Sequence, residues 1–296
     1  MRQILERSGG ACLQNYPIGL NLSRDPYLCS KPPDMSYRNI EVAQNENVRT
    51  ITVNRPSKLN ALNIDTIAEL SSALKEANRD PGTRAVILTG AGEKAFVAGA
   101  DVSEFAGFSK EKGRELSATG HRDLFDMIPL MTKPVIAAIN GYALGGGLEL
   151  AMSCHIRISS TNAVMGLPET GLGVIPGYGG TQRLPKLVGK GLAFEMILSA
   201  KKITAEEALR IGLINRVTEP EALAEACMDL ARRIAVNSPS AVAAAISAVN
   251  SDEGSSKTGA DAEIEAFASC FDSGDFKEGT SAFLEKRKPD FTVEQL

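Results

Sequence analysis

Between residues 48 and 160, short apolar runs rich in β-branched residues alternate with stretches of helical periodicity, and this alternation most limits the fold. NVRTITVNR (47–55) alternates around Val48, Thr50 or its neighbour Ile51, and Val53, which predicts a strand. In IDTIAELSSALKEANRD (64–80), Ile64, Ile67, Leu70 and Leu74 recur at helical spacing, and Asp80-Pro81-Gly82 closes the helix. AVILTG (85–90) and KPVIAAING (133–141) predict buried strands, with a charged helical stretch near 109–126 between them. GGLELAMSC (146–154) predicts a helix opening after glycines, and HIRISS (155–160) a further strand. Strands alternating with helices imply an α/β fold. The last third changes character. LAFEMILS, TAEEALRIG, ALAEACMDLARRIAVN, SAVAAAISAVN and IEAFASCF all read as helices, many rich in Ala, so a helical lobe is expected on an α/β core. DEGSSKTGAD (252–261) is expected to be a surface loop.

Residues 1–34 have no clear period, end in Pro32-Pro33 and lack the apolar stretch of a secretory signal. They are expected to form a poorly ordered extension, with Met35 as the start of the domain. The expected organisation is therefore 1–34 extension, 35–230 α/β core and 231–296 helical lobe. A net charge of −4 leaves no excess of Lys and Arg to neutralise phosphates, which argues against nucleic acid or an anionic membrane surface as partner. No run of about 18 apolar residues free of charge occurs, so no membrane insertion is expected. Only two histidines, His121 and His155, are present, and the five cysteines form no CxxC pair. That composition points to a reducing compartment and no metal site, a bacterial cytoplasm before a mitochondrial matrix. Chemistry then falls to carboxylates and backbone groups.

Four segments could carry it. Gly90-Ala91-Gly92-Glu93-Lys94-Ala95 matches GxGxxA after a strand, but the small residues that follow interrupt the helix a dinucleotide site requires. A turn after a buried strand is the better reading. In Phe96-Val97-Ala98-Gly99-Ala100-Asp101, Ala and Gly leave the backbone N–H groups open either to a ligand or to a neighbouring strand. Gly145-Gly146-Gly147 puts unpaired N–H groups at the start of an apolar helix, the kind of donor an oxyanion hole needs, with Glu149 in its first turn. No GK[ST] follows, so this is not a phosphate-binding P-loop. The loop 165–183 is dense in Gly and Pro and carries Glu169. Two glutamates, each beside glycine-rich backbone, suggest acid–base chemistry on a substrate whose charge is held by amides.

The segments NRPSKLNAL, AFVAGADVSE, KPVIAAINGYALGGGLELAMSC, LPETGLGVIPGYGGTQRLPKLVG and AFLEKRKP resemble the enoyl-CoA hydratase/isomerase (crotonase) family, in order, from Tyr37 to Phe291. The resemblance implies a ClpP/crotonase-like α/β spiral of ββα units with a C-terminal helical lobe driving trimer formation, two trimers pairing into a hexamer. It implies that Glu149 and Glu169 are catalytic and that the Ala100 and Gly146 N–H groups hold the thioester oxygen. It further implies that Gly177 offers an amide near the attacking water. Lys58 matches a residue that meets the CoA phosphates, and Ala98 one whose backbone contacts adenine. Phe283 and Lys286 match residues reaching CoA on an adjacent subunit. The implied reaction adds water to a trans-2-enoyl-CoA with no cofactor, coenzyme A being part of the substrate. Members that only shift a double bond often keep one of the two glutamates, so a hydratase is expected before an isomerase. A branched-chain or methylglutaconyl-CoA hydratase, or a non-catalytic CoA- or RNA-binding homologue, are the other readings. His155 stands where the family often has Asp and is expected to be structural; His121 is expected to be solvated. Leu167 stands where close hydratases often have Gln. Phe105, Phe108, Leu116, Phe125 and Met127 are expected to border the acyl pocket.

Overall fold

The apolar runs become parallel strands covered on both faces. A computed structural model describes residues 37–251 and 259–291, so the extension expected at 1–34 lies outside the described residues. The chain enters through β1 (Ile40–Asn45) and β2 (Val48–Val53), an antiparallel pair turned at Glu46, whose φ is 54°. β1 was not legible because Ile40 is its one buried residue. In β2 the inward residues are Val48, Ile51 and Val53, which resolves the alternation in favour of Ile51 over Thr50. Helix α1 (Ile64–Arg79) is capped by Asn63, whose side chain accepts from the Thr66 N–H at 2.9 Å. Its apolar stripe buries Ile67, Leu70 and Leu74, while Ile64 faces solvent.

Three repeats of one pattern follow. Each sends a strand into the large sheet and a shorter one into a second sheet before returning through helix. The first is β3 (Ala85–Gly90) and β4 (Ala95–Val97), returning through α2 (Val102–Phe105), α3 (Lys110–Gly120) and a π-helical turn at His121–Phe125. The second is β5 (Val135–Ile139) and β6 (Tyr142–Leu144), with α4 (Gly146–Ser153). The third is β7 (Ile156–Ser160) and β8 (Val164–Gly166), followed by a 3-10 turn at Glu169–Leu172, α5 (Gly180–Val188) and α6 (Lys190–Leu198). The chain closes with β9 (Lys202–Thr204), α7 (Ala205–Arg210), β10 (Arg216–Thr218), α8 (Leu223–Ala235), α9 (Pro239–Asn250), α10 (Gly259–Cys270) and α11 (Gly274–Glu285). This is the α/β spiral of ββα units, with helices at the C-terminal end. The loop expected at 252–261 lies outside the described residues up to 258, and its last residues open α10.

The large sheet runs β1-β2-β3-β5-β7-β10, parallel from β2 onward, and the small one runs β4-β6-β8-β9. Val86, Leu88, Val135, Ala137 and Ile139 face a core shared with α1 and α4. Ala85, Ile87, Ile136 and Ala138 face Leu223, Cys227 and Ala231 of α8. Burial on both faces is why these strands read as continuous apolar runs instead of alternating ones. Since α8 spans 223–235 and packs on the sheet, we propose counting it to the core side of a core-and-lobe division. Gly90 ends β3, and no helix opens before β4 begins at Ala95, so the dinucleotide geometry is absent there. A Cβ at position 90 would lie 2.3 Å from the carbonyl oxygens of Ala95 and Phe96, so this glycine serves packing.

Candidate active site

The ends of the short sheet bring the small-residue segments together. Beyond β4, Gly99 takes a φ of 115°, and an isolated parallel bridge ties this segment to Leu62. The Leu62 N–H donates to the Gly99 carbonyl at 2.8 Å, and the Asp101 N–H donates to the Leu62 carbonyl at 2.7 Å. Ala100 lies between these bonds with its own N–H outside them. Arg55 holds Asp101 at 3.1 Å and also donates to the Ala61 carbonyl, fixing the segment from behind. A hydrogen bond from Ser103, then Arg55, keeps the Asp101 carboxyl below the ordinary range despite some burial.

Beyond β6, Gly145 takes φ 50° and ψ −125°, a backbone that favours glycine, and α4 starts at Gly146. A Cβ at position 146 would lie 3.5 Å from the Ala100 nitrogen, so the two N–H groups are neighbours. Among the described residues neither donates to a backbone carbonyl. Gly147 has a different task. A Cβ there would come within 1.9 Å of the Val97 carbonyl oxygen, so the helix rests directly on β4. Close packing thus falls on Gly147, while the Ala100 and Gly146 N–H groups are left without a backbone acceptor among the described residues.

One turn along α4, Glu149 is 1% exposed. Its Oε1 accepts from the Tyr178 N–H at 2.8 Å and the Gly180 N–H at 2.7 Å. Burial pushes its pKa up to about 7, against the pull of those two donors, and the nearby Glu169 carboxylate adds to the rise. Glu169 opens the 3-10 turn after β8, and burial raises its pKa too. Its Oε2 is buried with no partner among the described residues, and Oε1 would be 2.8 Å from a Cβ at position 145. Two carboxyls and two free N–H groups thus surround the glycine turn that opens α4. A proton-binding pair beside a pair of fixed donors can move protons next to a carbonyl whose oxygen gains charge.

The enoyl-CoA hydratase/isomerase family profile matches residues 43–294. The chain belongs to the enoyl-CoA hydratase/isomerase family. It is 48% identical over 255 residues to a short-chain-enoyl-CoA hydratase of Clostridium acetobutylicum, covering 86% of this chain and 97% of that protein. It is 47% identical over 261 residues to a crotonyl-CoA hydratase of Syntrophomonas wolfei, covering 87% and 99%. The crystal structure of an enoyl-CoA hydratase from Bacillus anthracis superposes with a TM-score of 0.82 at 42% identity, covering 87% of this chain and all of that one (100%).

Other family-implied residues divide into two groups. The turn Pro56–Lys58 leaves Lys58 exposed, near enough to Asp101 to act on its charge, and the Ala98 N–H donates to the Leu59 carbonyl at 3.1 Å. Buried Asn60 pins this turn by donating to the Ala91 and Ala95 carbonyls. Lys58, Ala98 and Ala100 therefore share one rim. Gly177 is half-buried, and its carbonyl accepts from Ser117 Oγ at 2.6 Å. Phe283 and Lys286 lie at the end of α11, exposed, and no described contact joins them to that rim.

Sequence reasoning missed what steadies Glu149. Arg183 donates to the Tyr178 carbonyl at 2.7 Å, to the Phe125 carbonyl at 2.8 Å and to Asp126 at 2.6 Å. The guanidinium thus fixes the turn that supplies the two N–H donors. A lone arginine just past a glycine-rich loop was the available signal. His121, expected to be solvated, is half-buried and meets both Asp126 oxygens at 3.1–3.2 Å. His121, at the start of the π-helical turn, thus shares Asp126 with Arg183. His155 is structural as expected: Nδ1 accepts from the Val135 N–H, leaving Nε2 to donate to the Pro129 carbonyl, and burial lowers its pKa. Met127 is half-buried and lines a cleft of about 420 Å³ with Lys75, Arg79 and Leu130. Phe125 is fully buried, while Phe105, Phe108 and Leu116 are half-buried.

The raised pKa of Glu149 carries a stability consequence. On folding, its pKa goes from the ordinary 4.5 to about 7, so the folded chain binds the proton more tightly. That contribution is complete below pH 4.5 and is lost as pH rises through 7. Glutamine at this position has no such loss. The Tm of Glu149→Gln relative to wild type should therefore climb by a few degrees between pH 5 and pH 8. A calorimetric difference that stays flat over that range would show that Glu149 does not titrate as a buried acid.

Proposed function

We propose that this chain adds water across the double bond of trans-2-enoyl-CoA thioesters to give 3-hydroxyacyl-CoA. The observation that carries the reading is the meeting of two carboxyls whose pKa values burial raises, the buried Glu149 and the half-buried Glu169, beside the paired Ala100 and Gly146 N–H groups. The relatives named as hydratases support it. In this mechanism the thioester carbonyl accepts from both N–H groups, which withdraw electrons from Cβ. Water held by the glutamates and the Gly177 amide attacks Cβ. Its oxygen forms the new C–O bond while one of its protons passes to a carboxylate, Glu149 in our assignment. The π electrons move toward the thioester oxygen, where the two donors stabilise the enolate-like charge. Glu169, which carries a proton at the start, delivers it to Cα, and the proton taken up by Glu149 then passes to Glu169, so that the pair is restored and one water has been added in all. The Glu149 pKa of about 7 suits proton transfer near neutral pH, and burial shifts Glu169 in the same direction. A double-bond shift needs one proton-carrying group and would leave the second buried carboxyl without a task.

The reaction is proposed to need no metal or redox cofactor. Lys58 and the Ala98 backbone would meet the CoA nucleotide, and Phe283 and Lys286 would reach CoA on an adjacent subunit. The exposed apolar residues Val249, Ile264, Phe267, Phe283 and Leu284 of the C-terminal helices support assembly into a homotrimer or a hexamer of two trimers. No helix among the described residues is long and apolar enough to cross a membrane. A bacterial cytoplasmic location is proposed. The enone absorbance of crotonyl-CoA should fall when the protein is added with chelator and without nucleotide. An unchanged spectrum, with the protein folded, would overturn the reading.

A further inference from the structure

Tyr178 is the large side chain in the glycine run that clamps Glu149, and its backbone is held on both sides. Its N–H is committed to Glu149 at 2.8 Å and its carbonyl to Arg183 at 2.7 Å, so the direction of the ring is set by the site itself. The ring stacks on Phe125, with centroids 4.5 Å apart and planes 5° apart. One edge reaches the carbonyl-binding end: Cδ2 would be 3.5 Å from a Cβ at position 146. The other edge meets α3, where a Cβ at position 120 would fall 2.3 Å from Tyr178 Cε1, so that helix ends in glycine to admit the ring. Tyr178 is 6% exposed. Burial pushes the phenol pKa up to about 12, and the charges of Glu149 and Glu104 both act in the same sense. Among the described residues its hydroxyl has no hydrogen-bond partner, so no bond of its own explains its position.

On the hydratase reading, a thioester gripped by the Ala100 and Gly146 N–H groups, with Cβ facing Glu149, would lay its first carbons along this ring, and carbons beyond Cβ would have to pass it. We propose that Tyr178 sets the length of the acyl chain: its ring closes the site behind the first few carbons and confines turnover to short enoyl groups. This rests on the hydratase reading and goes beyond it, since that reading holds for any chain length. Each methylene refused or admitted by an apolar pocket changes kcat/KM by roughly tenfold or more.

The test measures kcat/KM for trans-2-enoyl-CoA of four, eight and twelve carbons on wild type, Tyr178→Phe, Tyr178→Leu and Tyr178→Ala. Wild type should prefer four carbons, and Tyr178→Phe, which keeps the ring, should keep the preference. Tyr178→Ala should raise the eight-to-four ratio at least tenfold, with Tyr178→Leu between. Should the alanine variant fail to fold by circular dichroism, the leucine variant decides, because it also removes the aromatic plane. An unchanged ratio in the folded variants, or a wild type that already favours twelve carbons, overturns the proposal while leaving the hydratase reading intact. A wild type that hydrates none of the three overturns that reading, and this one with it.

Discussion

Glu149→Gln and Glu169→Gln should each lower kcat for crotonyl-CoA hydration by about 10²–10⁴-fold, while binding of a saturated acyl-CoA stays within a few-fold of wild type. Glutamine keeps the shape at both positions. At 149 its amide oxygen can still accept from the Tyr178 and Gly180 N–H groups, now 2.8 and 2.7 Å from the carboxylate. What disappears is the capacity to hold a proton. If both carboxyls act on one water, the double variant should be little worse than the weaker single, because groups acting as a unit do not add. Losses that multiply would instead mean two independent functions. Near-normal turnover in either single variant would end the two-carboxyl mechanism, and calorimetric acyl-CoA binding separates that outcome from a collapsed site.

Gly146→Pro should cost about 10²–10³-fold in kcat, the usual effect of removing one oxyanion donor. Proline is accepted at the first position of a helix, so α4 can start where it does now. Gly146→Ala is the control. Its Cβ would sit 3.5 Å from its nearest neighbours, an ordinary contact, and the N–H remains. The alanine variant should therefore lose far less activity than the proline variant. Equal losses in the two, at equal far-UV signal, would show that space and not the N–H matters at this position.

How much of this was legible depends on what each element asks of its residues. AVILTG and KPVIAAING were readable as strands because burial on both faces demands unbroken apolar runs. β4, β6 and β8 span three residues each, too short for any alternation to register, yet their ends carry the site. Glu149 was readable from its apolar neighbours. Its two partners were not, because a backbone N–H leaves no mark in residue type. The glycines marked open backbone without saying which served packing, as Gly147 does on Val97, and which left a donor free, as Gly146 does. The role proposed for Phe283 and Lys286 rests on family resemblance alone, since residues that would complete a site in another copy leave no pattern within one chain.

The seating of Gly147 on the Val97 carbonyl has an evolutionary meaning. Main chain rests on main chain there, so the gap between the Ala100 and Gly146 donors is set by backbone packing. On the proposed mechanism, the grip on the reacting carbonyl comes with the packing of the backbone itself. On the proposed reading, side chains that wall the tail, Tyr178 among them, are free to change without disturbing it, so that one scaffold can diversify its substrates while its chemistry stands still.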